Sequence, residues 1–454
     1  MAVTRRQFLT RATAAGAGIA LVGSVDSVFG TSPAFSAGTG YGPLIPDPDG
    51  ILDLPRGFSY RIVTRTGDKL TDGGLVPGSQ DGTASFRGTG KNTLLVQNHE
   101  QTSGAGSARV VGEKKITYDP GADGGTTTLE VDQKGALQRQ YVSIAGTAQN
   151  CAGGLSPWGT WLTCEETEIR AGEGGMSQDH GFVFEVDPYH PENNAHPHPI
   201  TGMGRFAHEA LAIDPLAGDV YLTEDAGGPD GLFYRFRPKK ILGGLHSLHR
   251  GGLLEAMNIP GLPDLSVVKK IGAEYGVEWK PVPDPLAAEV STRKQFDYLA
   301  NGERIAAEGG SITRSHKLEG AWWRDDYMYF VSSFSRVSSG SAADHDGQVW
   351  RFDPRLQRIR LILRFAYTPR NQDDNPDGPD NISVSPYGGV ILAEDGEGAQ
   401  HLVGASEDGS SYFLARNAYN DSEFTGPVFS PDGTILFANI QTPGIVLAIT
   451  GPWK

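Results

Sequence analysis

Residues 150–166 carry the densest chemistry in this chain. Cys151 lies near the start, Cys164, Glu165 and Glu166 close the segment, and Pro157-Trp158-Gly159 sits between. Proline and glycine there predict a tight turn. Folding about Trp158–Gly159 predicts Cys151 opposite Glu166. A thiol beside carboxylates mixes a soft donor with hard ones. That mixture suits a transition metal placed among harder cations such as Ca²⁺. Cys151 and Cys164 are the only cysteines. Strand parity puts both on one face, so a disulfide is the competing expectation for an exported protein.

The same unit recurs. A polar residue, an apolar strand, a Gly/Pro/Asp turn and a second apolar strand ending in a polar group appear about six times. Five copies carry Cys151, Glu209, Glu319, Asp380 and Thr425 six positions before the turn. A looser copy runs from Asp81 to Glu100. Several such units, irregularly spaced, predict an all-β fold, a six-bladed β-propeller with loop or helical insertions. In a propeller the innermost strands line a channel, so equivalent residues converge on its axis. Cys151, Glu209, Glu319 and Asp380 are therefore expected in one mouth. Glu165, Glu166, Glu224, Asp225, Glu394 and Asp395 are expected as a shell around them. So many carboxylates demand protons or cations. His99 and His208, each beside a glutamate, read as core histidines rather than catalytic ones.

Other segments position or deliver this unit. Residues 41–65 read as a strand region that closes the last blade against Ile445–Ile449. Residues 239–312 read as an insertion of mixed helix and loop, a lid or an edge decoration, within a single propeller domain over 41–454. Residues 1–37 read as a twin-arginine export signal: Thr4-Arg5-Arg6-Gln7-Phe8-Leu9 precedes a short Gly/Ala-rich apolar run, too short for a membrane span. The expected partners are the twin-arginine machinery and a small substrate, with the protein a periplasmic or extracellular monomer. A net charge of −15 argues against nucleic acid, which needs a basic surface.

These residues resemble the PhoX-type alkaline phosphatase family. The resemblance rests on Asn98-His99-Glu100, the Cys151–Glu166 hairpin, Gly204-Arg205-Phe206-Ala207-His208-Glu209, Glu319-Gly320-Ala321-Trp322, Pro379-Asp380-Asn381 and Glu394-Asp395-Gly396. It implies phosphomonoester hydrolysis at a di-iron centre with calcium ions. It implies that Cys151 and Glu166 bind iron, and that Glu209, Glu319 and Asp380 bind iron or calcium. Glu100, Glu165, Glu224 and Glu394 join as calcium ligands. It also implies a phosphate-contacting arginine just ahead of Glu319, where this chain has Lys317 two residues before. Arg205 and Arg314 are the other candidate phosphate contacts.

Two alternatives stand beside this one. A calcium-dependent propeller hydrolase of another type, a lactonase or phosphodiesterase, would have no use for Cys151. A non-catalytic binding propeller would keep its metals as structure.

Overall fold

The computed structural model describes residues 40–227, 230–297, 312–369, 375–405 and 410–454. The twin-arginine segment lies outside them. Six antiparallel sheets form the six blades of a propeller. Blade 1 runs from its innermost strand Gln80–Arg87 through Thr93–His99 and Gly124–Val131 to Leu137–Thr147. Blade 2 has three strands, Asn150–Leu155, Trp161–Glu165 and Val183–Val186. The innermost strands of blades 3 to 6 are His208–Ile213, Leu318–Arg324, Pro379–Val384 and Phe424–Phe429. Among the described residues the only helices are short 3-10 turns, and none is long and apolar enough to cross a membrane.

The ring closes as the sequence predicts. Ser59–Arg65 pairs antiparallel with Ile445–Thr450, so the last blade takes its outer strand from the N-terminal region. Leu44–Ile45 and Leu52–Pro55 do something the sequence did not suggest: they extend the outer edge of blade 5. The described part of the 239–312 insertion is mostly loop and short 3-10 turns, but it also adds three short strands that the sequence did not suggest. Gly252–Asn258 and Glu278–Pro281 widen blade 3, and Glu274–Gly276 joins blade 4. Leu253-Leu254-Glu255-Ala256-Met257 has helix-forming residues, but pairing with Tyr234–Pro238 overrides that local preference. The insertion is edge decoration in its described part.

Apolar faces of neighbouring blades supply the core. Between blades 3 and 4, Phe233 stacks on Phe330 at 4.5 Å, with Phe352 edge-on to both Phe233 and Tyr221. Such packing holds each innermost strand at a fixed angle to the axis.

One irregularity is repeated in every blade. Each innermost strand carries one residue more than its partner near its start, a β-bulge. The ladder jumps between Gln80 and Thr83, Asn150 and Gly153, His208 and Leu211, Leu318 and Ala321, Pro379 and Ile382, and Thr425 and Val428. A bulge re-aims a side chain that the pleat would otherwise send into a sheet face. In blades 1 to 5 the re-aimed residues are Asp81, Cys151, Glu209, Glu319 and Asp380.

Candidate metal centre

In blades 1 and 4 the second bulge residue is a glycine because the neighbouring blade's bulge lies against it. A Cβ at Gly320 would stand 2.8 Å from the Asp380 carbonyl oxygen, and one at Gly82 would stand 2.8 Å from that of Cys151. Side-chain amides then lock the bulges. Asn98 Nδ2 donates to the carbonyls of Cys151 and Ala152 at 2.9 and 2.7 Å, and Asn98 Oδ1 accepts from Trp161 Nε1 at 2.9 Å. Asn381 Nδ2 donates to Asp380 Oδ1 at 2.8 Å, and Gly426 N donates to Asn381 Oδ1 at 2.7 Å.

The bulges bring three overlapping sets of donors together. Donor atoms of Glu100, Cys151 and Glu166 lie within 4.8 Å of one another; so do those of Glu209, Glu319 and Asp380, and those of Asp380, Asp395 and Glu423. Asp81 Oδ1 lies 3.9 Å from Cys151 Sγ. Gln441 Nε2 bridges Asp81 Oδ2 at 3.0 Å and Glu100 Oε2 at 2.7 Å. Lys317 Nζ bridges Asp225 and Glu319, 3.1 Å from each.

The electrostatics are those of a site built for cations. Burial, followed by mutual repulsion, pushes the carboxyls of Asp81, Glu166 and Glu209 well above the usual range. Glu319 is raised likewise by burial and by Asp225, though Lys317 opposes this. Asp380 is pushed up to about 7 by burial and then by Asp395. Burial and the same acids push the Cys151 thiol up. Lys317 moves the other way: Glu319 first, then Asp225, hold its ammonium firmly charged. Both oxygens of the buried Glu209 carboxylate lack any hydrogen-bond donor. A buried carboxylate without donors is costly unless a cation completes it. The donor set therefore fits bound cations, with the sulfur suited to a transition metal and the oxygens to calcium.

The expected site residues divide sharply. Cys151, Glu166, Glu209, Glu319, Asp380, Glu100 and Lys317 meet at the axis. Glu165, Glu224 and Glu394 do not. Glu165 accepts from Ala148 N, His180 Nδ1, Gly181 N and Phe182 N at 2.7 to 3.1 Å. Glu224 accepts from Tyr234 Oη at 2.8 Å and pairs with Arg293 at 2.7 Å. Glu394 accepts from the backbone nitrogens of Asp377 and His401 and from His401 Nδ1. Each of these carboxylates ends a second strand one residue before the axial position, and alternation turns it into the protein.

Arg205 and Arg314 are engaged elsewhere. Arg205 donates to the carbonyls of Glu168, His180 and Leu286. Arg314 pairs with Asp297 at 2.7 Å and Asp230 at 3.6 Å. Of the three candidate phosphate contacts only Lys317 reaches the mouth. Its backbone has φ 42°, held by hydrogen bonds to Ala226 O and from Ser333 N. His99 and His208 are core histidines, buried and held neutral, with pKa values lowered to about 4 and about 3.

The hairpin register differs from the simple fold-over. Leu155 pairs with Trp161 and Asn150 with Glu165. The turn centres on Trp158, and the bulge adds a second slip. Cys151 still reaches Glu166, through the bulge rather than as a cross-strand pair. The bulge also breaks the shared parity of the cysteines. Cys164 packs in the apolar cluster with Leu162, Val183 and Leu211, and both cysteines are free thiols.

Sequence reasoning left Asp81 outside the site, although Asp81-Gly82 has the same form as Glu319-Gly320. Glu423 lies ahead of its repeat unit, and no sequence signal marks it. Thr425 lies at the repeat position only by count from the turn; in the ladder it precedes the bulge, as Pro379 does in blade 5, and its hydroxyl donates to Gln80 O at 2.7 Å.

The profile of the family described as alkaline phosphatase PhoX matches residues 39–139 and 133–444. Among solved structures, PhoX from Pseudomonas fluorescens in complex with vanadate, a transition-state analogue, matches with a TM-score of 0.65. Identity is 18%, covering 93% of this chain and 98% of that one. The PQQ domain of pyranose dehydrogenase from Coprinopsis cinerea gives 0.43 at 13% identity, covering 89% and 98%. The gluconolactonase XC5397 from Xanthomonas campestris gives 0.39 at 12%, covering 91% and 99%. No curated protein matches in sequence. Fold and family profile together define a phosphatase carried on a six-bladed propeller. The chain belongs to the PhoX alkaline phosphatase family.

Proposed function

We propose that this protein is an exported, metal-dependent hydrolase of phosphate monoesters, with its reaction centre at the axial ring. The observation that carries the metal dependence is the buried Glu209 carboxylate, with no donor on either oxygen, beside Glu319 and Asp380 and across from a free thiol. In this reading Cys151, Glu100, Glu166 and Asp81 hold a transition metal, iron in the family's pattern. Glu209, Glu319, Asp380, Asp395 and Glu423 hold iron or calcium. Bound cations would supply an activated oxygen and positive charge on the phosphoryl oxygens, so no protein nucleophile is needed.

The chain's own residues do the rest. Lys317, fixed between Asp225 and Glu319, presents an ammonium to an equatorial phosphate oxygen. As a point charge it grips one oxygen rather than two, unlike arginine. Asn98 and Asn381 keep the bulges, and with them the ligand atoms, from relaxing. Thr4–Leu9 supports export by the twin-arginine route, which carries folded proteins and so permits a loaded metal site.

The test is to purify the protein without chelator, measure bound iron and calcium, and assay p-nitrophenyl phosphate beside Cys151→Ala. Iron and calcium in the wild type, and loss of iron and activity in the variant, are expected. Activity that survives both Cys151→Ala and calcium chelation would sink the reading.

A further inference from the structure

A second cluster of metal-ligating side chains lies away from the axis, against the last strand of blade 2. Glu185, on Val183–Val186, has donor atoms within 4.8 Å of those of His246 and His249. They line a cavity of about 320 Å³ together with His196, His198 and Arg250.

The local structure explains the convergence. His246 precedes, and His249 lies within, the 3-10 turn Ser247–Arg250. The left-handed backbone of His246, φ 62°, turns the chain just ahead of that turn and sets its ring beside that of His249. Their ring centroids are 5.8 Å apart, and that of His198 is 6.2 Å from His249. Two imidazoles sharing one tetrahedral zinc put their centroids roughly 5 Å apart, given Zn–N of about 2.0–2.1 Å. A small inward rotation of the rings closes the difference.

Glu185 is held as a ligating carboxylate is held. Its Oε1 accepts from Trp158 Nε1 at 2.6 Å and Thr160 Oγ1 at 2.7 Å. Its Oε2 accepts from His246 N at 2.8 Å and faces His246 Nδ1 at 3.9 Å. Such outer hydrogen bonds fix a ligand's orientation before the ion arrives. The side chain is almost fully buried, and its only ion pair among the described residues is with that exposed histidine. Both His246 and His196 have left-handed backbone, φ 62° and 57°. A non-glycine residue held there stores strain, and such strain clusters at binding sites.

We propose that Glu185, His246 and His249, with His198 beside His249 as a fourth donor, form a zinc site that pins the 239–250 turn of blade 3 to blade 2. The chemistry, two or three imidazoles and one carboxylate, selects zinc or a similar borderline ion over calcium. Its role is structural, remote from the phosphatase reaction.

The experiment uses the full protein with its axial metals in place, equilibrated with micromolar zinc, dialysed and analysed. The variant is His246→Asn with His249→Ala; asparagine tolerates the left-handed backbone. Wild type should retain one zinc equivalent more than the variant and melt a few degrees higher with zinc, while p-nitrophenyl phosphate turnover is equal in both. Equal zinc content in wild type and variant overturns the proposal. If the variant fails to fold, diethylpyrocarbonate labelling of the wild type decides. Zinc should protect His246 and His249 from modification, and equal labelling with and without zinc overturns it.

Discussion

Glu165 and Glu166 are neighbours in sequence and opposites in chemistry. The same holds for Glu224 with Asp225 and for Glu394 with Asp395. The first acid of each pair turns into the fold and receives donors from the protein, up to four for Glu165. The second faces the axis and meets other acids, with Lys317 as the opposing charge among the described residues. Burial follows the same division: Glu165, Glu224 and Glu394 are fully buried, whereas Glu166 and Asp225 are half-buried and Asp395 is exposed at the mouth. What also differs is who completes the charge. One set is a fold element made by the chain; the other awaits a cation. Carboxylates one residue apart can therefore be told apart by substitution.

The largest effect is expected at Glu209. Glu209→Gln should lower kcat/KM by roughly 10³, the loss typical of removing an electrostatic support at a reacting centre. Its melting temperature without metal should hold or rise, because a repelled carboxylate is gone. Circular dichroism melts beside steady-state assays read both, and a destabilised, active variant would overturn the assignment. Glu165→Ala should do the reverse. It leaves His180 Nδ1 and three backbone N–H groups unpaired, at a cost of about 3 kcal/mol. Urea unfolding measures that loss, and the fraction still folded should keep near wild-type turnover.

The pH dependence of the metal-free protein sharpens the same contrast. The axial acids have pKa values raised above those of the unfolded chain, Asp380 to about 7. Between about 4 and 7 the folded state then binds more protons than the unfolded one, so stability must fall as pH rises through that window. Chelated protein should melt lower at pH 8 than at pH 5. Restored calcium should remove most of the difference, and a flat profile would break the comparison. The smallest effect is expected at Lys317. Lys317→Ala should raise KM for p-nitrophenyl phosphate about tenfold, and Lys317→Arg should recover most of it. Equal KM in all three proteins would remove Lys317 from substrate binding.

The repeat made much of this legible in the sequence. Polar residues at a fixed distance from each turn gave the blade count and brought Cys151, Glu209, Glu319 and Asp380 to one mouth. The closure of the last blade by Phe58–Val63 was legible for the same reason, since alternating strands at both ends lacked partners. What stayed hidden followed from the bulges. A one-residue insertion flips every side chain before it to the other face. Counting across the Trp158 turn therefore misplaced Cys151 by two and put both cysteines on one face. Without the bulges there was also no basis for choosing between adjacent acids, so Glu165, Glu224 and Glu394 entered the expected set. Arg205 and Arg314 entered on charge alone. Only packing shows that their guanidinium groups are spent on carbonyls and on Asp297.

The pairing of Ser59–Arg65 with Ile445–Thr450 has a consequence for how the protein comes into being. Ser59 Oγ meets Thr450 Oγ1 at 3.1 Å across 391 residues of chain. Until the last strand leaves the ribosome, the six sheets are an open washer with nothing to hold its gap shut. No axial acid lies beyond Glu423, yet a chain stopped there would own every ligand and no cage. The axial ring thus depends on the pairing of Ile445–Thr450 with Ser59–Arg65, and completing the circle is the step that turns a string of acids into a vessel.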